Sequence, residues 1–160
     1  ALGLVVEDAV VKAFVERAIC LAGEFNTQGV ANTLWAIATL GLEADGRLVG
    51  ALSRRGIALS GQFKAQEVAN TLWALGVCGL SDATHRFGLL AARLQLLDTL
   101  CEHVDSDDLS DVEVSQLHQF FLSCSLDSLM ADRLPPRLLA LNASIGHICR
   151  SRFQQATDVH

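Results

Sequence analysis

Uncharged hydrogen-bonding side chains recur along this chain at a fixed distance. Gln28 and Gln66 are 38 residues apart, as are Asn32 and Asn70, and Gln116 stands 46 residues beyond Asn70. If these stretches are helical, Gly29, Asn32, Ala36 and Thr39 share one face; the copies of that face are Glu67, Asn70, Ala74, Val77 and Glu113, Gln116, Phe120, Ser123. Rows of amides and hydroxyls on successive helices can hydrogen-bond the base edges of single-stranded RNA, one base per repeat, and a ring such as Phe120 can stack on a base. The candidate RNA contacts on these helices are therefore Gln28, Asn32, Thr39, Gln66, Asn70, Gln116, Phe120 and Ser123. A second reading stands beside it. Positions that read a sequence should vary between repeats, whereas an amide kept at one position can form a ladder between neighbouring helices.

Arg17, Arg55 and Arg93 recur at the same 38-residue spacing. A periodic arginine can form a track for phosphates. It can equally lay its stem over the core and bond backbone carbonyls, and packing is the reading favoured here. Trp35 and Trp73, also one period apart, are expected in the core between repeats.

Other chemistry finds no matching pattern. The acidic run Asp105, Asp107, Asp108, Asp111, Glu113 lacks the glycine and spacing of a calcium loop. Cys101 with His103, and His147 with Cys149, sit two residues apart, so on a helix neither pair can chelate one ion. Five cysteines without a CxxC pair fit reduced thiols serving as small hydrophobes. No nucleophile–base pattern or phosphate loop is present. The expectation is no enzyme, no metal, no cofactor and no small-molecule substrate.

These side chains need elements to hold them. Residues 24–61 align with 62–99 without a gap, and the phrase VANTLWA occupies Val30–Ala36 and Val68–Ala74. Shifted by one period, residues 1–23 match the second half of a unit, and residues 100–160 hold a divergent unit with an acidic insertion around Glu102–Leu109. Each unit predicts two helices. Helix A spans roughly Gln28–Leu40 and ends at Gly41, as its copy ends at Gly79. Helix B spans roughly Asp45–Leu59, with copies near Glu7–Leu21 and Asp82–Thr99. In the divergent unit Ser110 and Glu113 form a capping-box pattern, and Pro136 suits the first turn of a last helix B. One such pair cannot bury its own apolar face, but stacked pairs can. The expected fold is all-α, an α-solenoid of antiparallel helix pairs forming a single array over residues 1–160.

The period, the paired helices and the phrase QxVANTLWAxxxLG resemble the octotricopeptide repeat, a family similar in architecture to RAP-domain and FAST-kinase-like repeat proteins. The resemblance implies single-stranded RNA binding in an organelle, mitochondrion or chloroplast, in transcript stability, processing or translation. The targeting segment is expected outside these residues.

Charge points elsewhere. The formal net charge is −6, and residues 100–160 hold nine acidic against four basic side chains. Nucleic-acid binders draw much of their affinity from basic stripes on phosphates. The alternative is a scaffold subunit that binds protein within a large organellar complex, a ribosome or bioenergetic assembly. With 19% charged and 51% hydrophobic residues, the chain has a core to bury, and its longest uncharged stretch is too polar to cross a bilayer.

Overall fold

Three different devices start the three helices of type A. The computed structural model describes residues 8–41, 46–78, 87–102, 104, 108–126 and 134–157. Among them lie α1 (Asp8–Leu21), α2 (Thr27–Leu40), α3 (Gly46–Ala58), α4 (Ala65–Val77), α5 (Phe87–Cys101), α6 (Asp111–Leu126) and α7 (Pro136–Thr157). At α2 the Asn26 side chain accepts the Gly29 N–H at 2.8 Å. Its copy at α4 has Lys64 instead, and there the Glu67 carboxylate takes the Lys64 N–H at 3.0 Å. At α6 both halves of the expected box form: Ser110 N–H donates to Glu113 Oε2 at 2.7 Å, and Glu113 N–H to Ser110 Oγ at 3.5 Å.

Gly41 ends α2 in the left-handed region, φ 61°, where a Cβ is costly, and its N–H reaches the carbonyls of Ile37 and Ala38. The predicted counterpart, Gly79, lies outside the described residues. So do residues 82–86 of the predicted helix B and 105–107 of the acidic insertion. Short 3-10 turns, Ala22–Glu24 and Ser60–Gln62, each followed by an extended phenylalanine (Phe25, Phe63), carry the chain from helix B to the next helix A.

The described residues are all-helical, and the helices stack in two layers. One layer runs α2, α4, α6; the other runs α1, α3, α5, α7. The sandwiched core is a continuous set of aliphatic side chains, among them Val30, Leu34, Leu52, Leu72, Leu96, Leu117, Leu138 and Ile145. Each fully buried leucine contributes about 1.5–3 kcal/mol relative to exposure, so the stack rather than any helix alone supplies stability. Two close approaches tune it. A Cβ on Gly56 of α3 would stand 2.8 Å from Leu96 Cδ1 of α5, and one on Gly76 of α4 would stand 3.2 Å from Phe120 Cδ2 of α6.

Candidate macromolecule-binding face

Within the α2–α4–α6 layer, α4 is flanked on both sides and α2 and α6 on one, and the other layer backs all three, which leaves an outward strip free. On α2 that strip is Gln28, Asn32, Trp35 and Thr39, all exposed. The equivalents are Gln66, Asn70, Trp73, Val77 on α4 and Val112, Gln116, Gln119, Ser123 on α6. Spacings of 4, 3 and 4 keep one strip aligned along a helix.

This strip is rotated from the one predicted by sequence. Ala74 and Phe120, expected to face outward, are fully buried. The Phe120 ring packs edge-on to Phe121, centroids 5.1 Å apart, and lies against Gly76. It has no free face on which a base could stack. The reason is geometric: a helix inside a layer buries its flanks as well as its base, so the face opposite the apolar centre is narrower than on an isolated amphipathic helix.

Trp35 is correspondingly more open than expected, at 42% exposure. It meets the half-buried Trp73 with ring centroids 6.5 Å apart and planes tilted by 35°. The two indoles thus join repeats, but along the surface. The third rung is Gln119, whose Oε1 accepts the Trp73 indole N–H at 2.8 Å. Gln119 was missed by sequence reasoning, although the 46-residue offset maps it onto Trp73.

The amide row is part ladder. Gln116 Nε2 donates to Asn70 Oδ1 at 2.8 Å, binding α6 to α4, while Asn32 at the row's other end is exposed. Ser123 donates to its own helix at the Gln119 carbonyl, 3.0 Å away. Gln28, Gln66 and Thr39 are exposed on the strip. None of its twelve side chains is charged. The acidic, basic and imidazole side chains of these helices are Glu67 on α4 and Asp111, Glu113 and His118 on α6, with none on α2.

The arginines belong to the other layer. Arg55 is half-buried and its Nε–H donates to the Phe25 carbonyl at 2.7 Å, tying α3 to the start of its own repeat. Arg17, one period earlier, is exposed on α1. The side chain of Arg93 lies outside the described residues. Arg47 pairs with Glu16 across α1 and α3 at 2.7 Å, and Arg137 pairs with Glu102 across α7 and α5.

Between α5 and α7 a cleft of about 260 Å³ is lined by Cys101, Val104, Arg137, Ala140, Leu141 and Ser144. Burial, helped by the nearby Asp98 carboxylate, pushes the Cys101 thiol up to about 12. It is a protonated thiol and a poor nucleophile. Cys124 is buried and Cys20 exposed. Among the described residues no three His, Cys, Asp or Glu side chains gather as a metal site. No helix among them is long and apolar enough to cross a membrane.

Stacked helix pairs in two layers define the class: an all-α helical-repeat fold. Residues 2–133 match the family model described as RNA-editing substrate-binding complex 6 protein, and the chain belongs to that family. No curated protein and no solved structure matches it. The family match corrects the resemblance to octotricopeptide and RAP-type proteins, which rested on VANTLWA and its period. Those letters mostly encode how α2 and α4 pack: Val30, Ala31, Leu34 and their copies are buried, and repeats of different families can share such packing. The chloroplast alternative loses its basis with that resemblance.

Proposed function

We propose that this chain is a non-catalytic helical-repeat component of a mitochondrial RNA-editing substrate-binding assembly, with RNA and protein subunits of that assembly as its partners. The family match over residues 2–133 carries this reading. The chemistry of the chain supports it. A stacked solenoid offers a long surface, and the thiol lining the cleft between α5 and α7 is held protonated. Charge favours a scaffold role over direct reading of RNA. The α2–α4–α6 strip has no cation, and Arg55 is spent on a backbone carbonyl.

The test is recovery of tagged chain from mitochondria, followed by sequencing of the bound RNA. Transcripts that undergo editing should be enriched over those that do not. Equal recovery of both classes would sink the proposal.

A further inference from the structure

The outward strip of α2, α4 and α6 combines three properties that separate its possible occupants. It is uncharged throughout, with Glu67, Asp111 and Glu113 and a single cation, Lys64, at the starts of its helices. A polyanion meeting it would find no cation on the strip and three carboxylates against one lysine at its rim, whereas phosphate neutralisation supplies most non-specific RNA affinity. Second, its polar groups are partly spent. Asn70 is bonded to Gln116 and Trp73 to Gln119, so base edges would compete with contacts already made. Third, a 42%-exposed indole, Trp35, leans on Trp73 across α2 and α4, and the strip's two valines, Val77 and Val112, are exposed as well. Depletion of charge around tryptophan anchors is the composition of a protein interface core. The bonds that hold Trp73 and Asn70 also mean little side-chain freedom is lost on docking.

We propose that this strip docks an uncharged, apolar and amide-bearing surface of a different protein subunit, with Trp35 and Trp73 as the anchor. The inference rests on membership of the assembly and adds which face is used and by what. RNA, in turn, is contacted away from this strip.

The experiment uses the intact assembly, purified through this chain, with a photo-crosslinking amino acid at the exposed Thr39. The expected product is an RNase-resistant adduct with another protein subunit. Trp35→Ala should reduce retention of that subunit at least tenfold, the size expected for an anchor, while the chain keeps its helical circular-dichroism spectrum. Thr39→Glu, a surface change that leaves the packing alone, should weaken retention in the same direction. An RNase-sensitive adduct, an adduct with a second copy of this chain, no adduct, or unchanged retention in both variants overturns the proposal. A tagged chain that brings down no RNA-editing assembly overturns the functional reading, and this inference with it.

Discussion

The Nε–H of Arg55 donates to the carbonyl of Phe25, 2.7 Å away and 30 residues earlier, and so fastens the last turn of α3 to the residue that opens α2. The bond explains a periodic arginine without a ligand: the carbonyl sits in a linker where no helix satisfies it, and a long cationic side chain can reach it. Arg55→Ala should cost about 1.5–3 kcal/mol, the usual worth of a bond to a charged group. Arg55→Lys should recover only part of that, because the planar fork is lost. Urea unfolding checks both. A variant as stable as the parent would return the arginine to the phosphate reading.

Leu52 and Phe14 occupy the same position one period apart, yet Leu52 is fully buried and Phe14 is 72% exposed. Among the described residues α1 packs on α3 and the turn after it, whereas α3 is enclosed by α1, α2 and α5. Leu52→Ala should destabilise this chain by about 2–5 kcal/mol. Phe14→Ala should change it by less than about 0.5 kcal/mol, as surface substitutions usually do. Parallel thermal melts compare them, and similar losses would contradict the packing described.

Gly41 has φ of 61°, and no neighbour stands within 4 Å of where its Cβ would be. Backbone strain alone then sets the cost of a side chain. Gly41→Ala should lose about 1 kcal/mol, and Gly41→Asn less, since asparagine tolerates this region better. Chemical denaturation should rank the three Gly, Asn, Ala.

Cys101 gives the chain an alkaline weakness. Its thiol is raised from 9.0 to about 12 in the fold, so an unfolding chain gives up that proton at lower pH. The contribution is intact below pH 9.0 and is lost progressively as pH climbs toward about 12. Melting temperature should fall as pH rises from about 9 toward about 12, and Cys101→Ala should flatten that fall. The exposed Cys20 should react with a thiol reagent before Cys101 does, which mass spectrometry can order.

The sequence by itself determined the helices, their pairing and their register. Those are local or repeating properties: 3.6-residue periodicity, Ser110 and Glu113 at a cap, Gly41 at a C-terminus, and one phrase written twice. Helix A was predicted at Gln28–Leu40 and is found at Thr27–Leu40. Tertiary structure alone decided which side chains the layer leaves free. Phe120 is buried because Gly76, where α2 has Ala38, leaves room for its ring. Trp35 leans on Trp73 of α4 yet stays 42% exposed, and Gln116 is half spent because Asn70 lies within reach. Burial depends on neighbours far away in the chain, and a single helix's periodicity carries no record of how closely its flanks are approached.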